Sequence, residues 1–546
     1  MSDHRIEATT LGDLLLRATD RFPAKDAIVF PDGRLTFAEL TERAYFRARS
    51  LASLGVKRGD HVGILMPNCL EYVELIFATA FMGCMAVPIN ARNKVSELAY
   101  VIRNADLRAL VTTDLISEYA DFSNLIHEAF PALAGSADPR SLDLADAPEL
   151  KFVAMMGEST PDSFVTQAEF EAMADGTTVD DIENWRISVQ LSDRCIMMYT
   201  SGTTANPKGC PISHEKITRN SINIAKERFF LTEDDVYWAP LPMFHMASTL
   251  PMTECLWAGA TMLSMTHFDA GVALKMMEEE KVTVAFPSFP TVTNELVTHP
   301  EFEKRDLSRL RIVQNVAPED LLRRFQEAFP QAAQTGAYGL TECTGIAANN
   351  SIEETFEERL HAQGKPFPGM EAMIVDPETF EEKPYGERGE IVLRGYAVFE
   401  GYYNAPDKNA EAFKDGWFRT GDLCSMDADN NIHFHGRIKD MLKVGGENVA
   451  AVEIESFLQT HPSVKLAQVI GVPDSRLLEV AAAYIELIDG TTLTEQELID
   501  FCQGKIASFK VPRHVRFVTE WPMSSTKVQK FRLRDDFLAE AETAAQ

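Results

Sequence analysis

The stretch Met198 to Gly209, MYTSGTTANPKG, concentrates hydroxyls, glycine and a lysine in twelve residues. Ser201, Thr203 and Thr204 surround Gly202, and Pro207, Lys208 and Gly209 follow. Glycine lets backbone N–H groups approach a ligand, hydroxyls add donors, and a lysine brings a movable positive charge. Together these suit the phosphates of a nucleotide. The Walker arrangement is excluded, because Lys208 is followed by Gly209 and Cys210 rather than by Ser or Thr. Ile196 to Tyr199 read as the end of a buried strand and the chain from Ser213 as a helix, which predicts strand, loop, helix. A flexible Ser/Thr/Gly turn has the same composition; the order of the residues favours the phosphate loop.

Four further stretches carry usable groups. GAYGLTE, Gly336 to Glu342, offers close backbone approach at its two glycines, Gly336 and Gly339, with Ala337 between them and a ring face at Tyr338. It adds a hydroxyl at Thr341 and a carboxylate at Glu342 that could help hold Mg2+. WFRTGDL, Trp417 to Leu423, sets Asp422 in a Gly-Asp turn, able to accept from ribose hydroxyls. HGRIKDMLKVGGENV, His435 to Val449, supplies Arg437, the charged run Lys439, Asp440 and Lys443, and a pliable Gly445-Gly446. PMSSTKVQK, Pro522 to Lys530, places a lysine on a Ser/Thr-rich loop. Taken alone, the last three are equally well a turn aspartate, a solvated face and an exposed lysine.

A chain of 546 residues implies two or three domains. The balance of 52 Lys+Arg against 82 Asp+Glu, formally −30, argues against nucleic acid or an anionic membrane as partner, so a nucleotide site must gather scarce positive charge locally. Eight cysteines show no CxxC and no paired spacing, which predicts reduced thiols and no zinc or iron–sulfur ligand set. The N-terminus lacks a signal-peptide apolar core, and the apolar stretch Leu75 to Ile89 is too short to span a bilayer. A soluble, cytoplasmic protein is the expectation.

The elements that must position these groups alternate. Thr10 to Phe22 reads as an amphipathic helix, and Thr36 with Glu39 as a capping box opening a second. Strands at Val62–Met66, Met85–Ile89 and Leu110–Thr112 alternate with helices at Glu71–Met82 and Ser96–Asn104, the signature of a doubly wound α/β domain. The alternation resumes after the phosphate loop, with strands at Val236–Ala239, Thr261–Ser264 and Val284–Phe286. From Ala372 to about Arg394 the pattern turns to β, predicting a small β-barrel-like subdomain. Beyond Arg437 come helix, two strands, helix and strand, a compact α+β unit. Residues Ala539 to Gln546 are expected to fray.

With five motifs in order, nearly end to end, the chain resembles the adenylate-forming superfamily of acyl-CoA synthetases, luciferases and peptide-synthetase adenylation domains. It looks most like an AMP-forming acyl-CoA synthetase. VPINAR at Val87 to Arg92 and KVGGENV at Lys443 to Val449 suggest the crotonobetaine/carnitine, medium-chain and aryl acyl-CoA ligases. The resemblance implies a large ATP- and acyl-binding domain, 1–438, and a mobile lid, 439–546. It also implies ATP, Mg2+ and coenzyme A as ligands, with a carboxylic acid as substrate and a homodimer as a common assembly. Thr200, Ser201, Gly202, Thr203, Thr204 and Lys208 would wrap the phosphates. Thr341 would touch the α-phosphate and Glu342 would bind Mg2+. Tyr338 would lie against adenine opposite Val316, Ala317 and Pro318, while Asp422 and Arg437 would hold the ribose.

By the same resemblance Lys439 and Asp440 would be the hinge, and Lys527 would reach the carboxylate and α-phosphate. His245 would gate the acyl pocket, and Lys443, Gly445 and Gly446 would line the CoA path after lid rotation. Acyl-pocket candidates are Met246, Ser248, Phe289, Asn315 and Thr344, mostly apolar or small, which leans toward a medium-chain, alicyclic or aromatic acid. Alternatives are an adenylating enzyme with another acyl acceptor, or a carnitine/betaine-type ligase, for which no aromatic or acidic cage is legible. The chain departs from the family at Asn315-Val316, where Gly-Gly is usual, and at Thr526, where glycine is usual before the lysine.

Overall fold

A computed structural model of the chain describes residues 6–200, 207–317, 319–444, 447–474, 476–523 and 528–544. Two sheets dominate the N-terminal part. One has six strands in the spatial order Phe152–Met156, Leu107–Thr113, His61–Leu65, Met85–Pro88, Arg194–Thr200 and Lys208–Ser213. The other has seven, running from Ala333–Thr335 through Ile312–Asn315, Val284–Ser288, Val236–Trp238 and Thr261–Leu263 to the hairpin Asp26–Phe30 and Gly33–Thr36. Pairing is parallel except at that hairpin and between the last two strands of the first sheet.

Burial explains the layering. Ile64, Val111 and Ile196 on one sheet and Ile28, Phe286 and Ile312 on the other share a single core with the helices between them. The outer faces have separate cores: Val87, Leu110 and Met197 under the helices Val95–Asn104 and Phe122–Ala129, and Val313 and Ala285 under Ala270–Glu279. Strands buried on both faces read as continuous apolar runs, which is why they are legible in sequence. The opening helix, Leu11–Arg21, is capped by Thr10, and the capping box Thr36/Glu39 is formed.

A five-stranded antiparallel sheet, Met370–Val375 to Ile432–Arg437, curls into a half-barrel, the expected barrel-like subdomain. After the 3-10 turn Ile438–Asp440 comes a small α+β unit with its own cores. The eight cysteines are all buried and free. Among the described residues no helix is long and apolar enough to cross a membrane.

Two expectations are corrected. The phosphate loop is not followed directly by a helix: Lys208–Ser213 forms an edge strand antiparallel to Arg194–Thr200, with Thr200 opposite Lys208, and the helix begins at His214. Pro211 disguises that strand, yet proline is tolerated at a sheet edge. The terminal residues are not all frayed, since a helix runs Lys530–Ala544. Leu533 and Phe537 bury one side of it, and Leu533 O accepts from the Tyr484 hydroxyl at 3.0 Å.

Glu254, on the helix Met246–Ala258, has no charged partner among the described residues, and burial pushes its carboxyl up to about 8 from 4.5. Between those values the folded state holds a proton that the unfolded state has lost. Stability therefore declines as pH rises from about 4.5 to about 8, then levels off. Glu254→Gln keeps the neutral shape and should flatten this profile, exceeding wild type by about 2–4 kcal/mol at pH 8.5 in urea melts. Parallel profiles for the two proteins would refute the assignment.

Candidate active site

The parallel strands of both large sheets end at one cleft of about 2020 Å³, closed on its far side by the C-terminal unit. Carboxyl ends of parallel strands are where open α/β sheets place ligands. Thr200 ends one strand and Asn315 another, and both line the cleft.

Three polar groups from separate segments meet first. The Lys208 ammonium lies 3.9 Å from the Tyr402 ring centroid, and the Tyr402 hydroxyl donates to Glu342 Oε1 at 2.7 Å. Burial pulls the lysine pKa down, and the Glu342 carboxylate opposes that shift. The Tyr402 phenol is pushed up by its own burial and by Glu342, so it remains a donor at neutral pH. The result is a cation and an acid held together in a half-closed wall.

Asp422 organises the second group. It is opposite Arg437 in the antiparallel register of the half-barrel, and Arg437 Nε reaches its Oδ1 at 2.8 Å. The Tyr338 hydroxyl donates to Oδ2 at 2.8 Å, and the Asp422 N–H donates to Thr420 Oγ1. Burial lowers the Arg437 pKa, but Asp422, followed by Tyr338 and Glu342, outweighs it and holds the guanidinium charged. The Phe434 ring centroid sits 6.2 Å from that of Tyr338. Val316 is 49% exposed and Phe434 38%, so two apolar side chains are left exposed along the cleft.

The other expected residues distribute as follows. Thr341 and Glu342 share a 3-10 turn, and Gly336, Ala337 and Ala317 line the cleft. His245 caps the helix Met246–Ala258, its Nδ1 accepting from the Ala247 N–H at 3.1 Å, which places the ring proton on Nε2. Met246, Phe289 and Asn315 also line the cleft. Ser248 and Thr344 do not. Ser248 is buried within the same helix, and the Thr344 hydroxyl donates to Ala397 O at 2.7 Å. Lys439 and Asp440 line the cleft from the inter-domain turn. Lys443 stands apart, exposed, with its N–H donating to Glu479. Ser201, Gly202, Thr203, Thr204, Pro318, Gly445, Gly446 and Lys527 lie outside the described residues. Sequence reasoning missed Tyr402 and Phe434, which follow no motif. Phe434 stands directly before the motif that opens at His435, but Tyr402 has no motif beside it in the sequence.

Residues 15–403 match the AMP-binding enzyme family, and 453–527 match the AMP-binding enzyme C-terminal domain. The chain belongs to the AMP-binding enzyme family. It is 36% identical to YngI of Bacillus subtilis (strain 168) over 535 residues, 96% of this chain and 97% of that one. It is 33% identical to the medium-chain acyl-CoA ligase ACSF2 (mitochondrial) of Rattus norvegicus over 550 residues, 98% and 88% of the two chains. The solved structure of the anthranilate CoA ligase AuaEII in complex with anthranoyl-AMP is similar at TM-score 0.84 and 28% identity, covering 99% of each chain. With these likenesses the chain is an acyl-CoA synthetase that works through an acyl-adenylate.

Proposed function

We propose that the cleft activates a medium-chain, alicyclic or aromatic carboxylic acid with ATP and passes the acyl group to coenzyme A. The observation that carries the substrate class is the apolar wall below the nucleotide groups, formed by Met246, Leu250, Phe286, Val292 and Ile346. The name of the rat relative points the same way.

The chemistry follows from the residues. The acid is already ionised at neutral pH, so no general base is needed. The barrier lies in bringing anions together and in charge developing at phosphorus. Lys208 supplies fixed positive charge near the phosphates, and the Tyr338, Val316 and Phe434 faces orient adenine. Asp422, held by Arg437 and Tyr338, accepts from the ribose. Glu342 fits a magnesium ligand: it is a buried carboxylate beside a cation, and Mg2+ commonly takes one or two protein carboxylates with phosphates and water. The ion would neutralise phosphate charge there. His245, its ring aimed by the helix cap, separates the nucleotide region from the acyl region.

The thiol of CoA must then reach the acyl carbon from a side that the lid lysine would block, which gives a physical reason for lid rotation about Lys439-Asp440. One ion pair that must break is light. Arg388 of the half-barrel pairs with Glu453 of the lid at 3.2 Å, and the arginine side chain is 51% exposed, so the pair contributes little. Asp440→Pro should trap one lid position, sparing adenylation while slowing thioester formation. Unchanged rates in both half-reactions would exclude 439–440 as the pivot.

The ligase reading is tested by pyrophosphate release across a carboxylic-acid panel, with and without CoA. Release with medium-chain or aromatic acids, followed by thioester, is expected. Release without any thioester would show that the acceptor is not CoA.

A further inference from the structure

The strand Ile312–Asn315 carries two neighbouring amides toward opposite faces of its sheet. Val313 belongs to the outer core and Ile312 to the inner one, so alternation puts Asn315 outward and Gln314 inward. Asn315 is satisfied: its Oδ1 accepts from Thr293 at 2.6 Å, and its Nδ2 donates to Gln334 at 3.0 Å. Gln314 is not. It is 1% exposed, it lines the cleft, and neither its Oε1 nor its Nε2 has a hydrogen-bond partner among the described residues. Thr335, its register partner on the next strand, buries a hydroxyl that also has none.

The side chains around Gln314 in this part of the cleft are largely apolar: Phe286 on the adjoining strand, Met246 and Leu250 on the facing helix, and Ile346. Buried polar groups without partners are rare in native proteins, and a leucine would fill this wall without that penalty. The unmet amide therefore calls for a partner that arrives with the ligand. The ligand atom that meets it is uncharged. An amide offers one acceptor and two N–H donors but no formal charge. The guanidinium on this side, Arg359, is already committed to the backbone carbonyls of Gln334 and Glu354.

Resting on the ligase reading, we propose that Gln314 determines specificity by hydrogen-bonding a hydroxyl or keto substituent on the acyl chain. Gln314 precedes Val316, at the proposed adenine edge, by two residues, about 7 Å of extended chain. The preferred acid is neither a plain alkanoate nor a dicarboxylate.

The experiment measures kcat/KM for pyrophosphate release with a plain medium-chain acid and with its hydroxy and keto derivatives at successive positions. Wild type should favour the best derivative by about tenfold or more, the discrimination expected when a buried polar group would otherwise stay unpaired. Gln314→Leu should abolish or invert that ratio while leaving the plain acid within about threefold, an apolar swap on an apolar wall. A wild-type preference for the plain acid over every derivative overturns the proposal, as does an unchanged ratio in Gln314→Leu. Should the leucine variant fold poorly by thermal melt, Gln314→Met takes its place, and the wild-type series decides without either. If no acid releases pyrophosphate, the ligase reading itself has failed; turnover of the plain acid with a flat series removes only the role of Gln314.

Discussion

In Lys527→Ala, adenylation is expected to fall by about 10²–10³-fold, while thioester formation from supplied acyl-AMP continues near the wild-type rate. The reason is where charge develops. During adenylation the carboxylate and the α-phosphate, both anionic, must approach, and a positive charge delivered to that point stabilises the transition state more than the ground state. In the second half-reaction the thiol attacks a neutral carbonyl carbon and the lysine has no comparable task. Lys527 lies outside the described residues, but Met523 and Val528, which flank it in sequence and pair with each other, both line the cleft. Separate assays of pyrophosphate exchange and of acyl transfer decide the matter. Equal loss in both would refute the division of labour.

The second large effect is expected at Asp422. Its carboxylate is 3% exposed and is shared by Arg437 and the Tyr338 hydroxyl. Asp422→Ala removes the ribose acceptor and strands a guanidinium and a buried phenol. The KM for ATP should rise about 10- to 100-fold, the worth of one or two hydrogen bonds to a charged group. Stability should drop by about 2–3 kcal/mol, less than for a fully buried pair because the Arg437 side chain is 34% exposed. Asp422→Asn keeps one acceptor, so it should recover part of the ATP affinity and most of the stability. If Asp422→Ala binds ATP as well as wild type by pyrophosphate exchange, Asp422 does not hold the ribose. If the alanine and asparagine variants melt alike, the buried network is not what stabilises this wall.

These two sites differ in how they can be read. Lys208 announces itself locally, because a lysine among hydroxyls and glycines is legible as a string, whereas Lys527 is picked out only by the order of the family's motifs. Asp422 and Arg437 are also legible as motifs, but what joins them is the antiparallel register of two half-barrel strands. Tyr402 belongs to no motif; it gains meaning only because the half-barrel brings it under Lys208 and against Glu342.

The alternation of apolar runs and turns was enough by itself to set out the α/β layers, the half-barrel and the small terminal unit, because burial on one face or both imposes a period on the chain. It also carried the motifs, whose chemistry depends on residue type and near spacing. Folding alone decided matters that depend on faces and on distance along the chain. Pro211 is tolerated because its own strand pairs on one side only, with Arg194–Thr200. The terminal helix holds because Leu533 and Phe537 find a sheet to cover. Gln314 and Asn315, adjacent in sequence and alike in chemistry, part company for the same reason: a strand turns successive side chains to opposite faces, and only the packing on each face determines which amide finds a partner in the protein and which is left for the ligand.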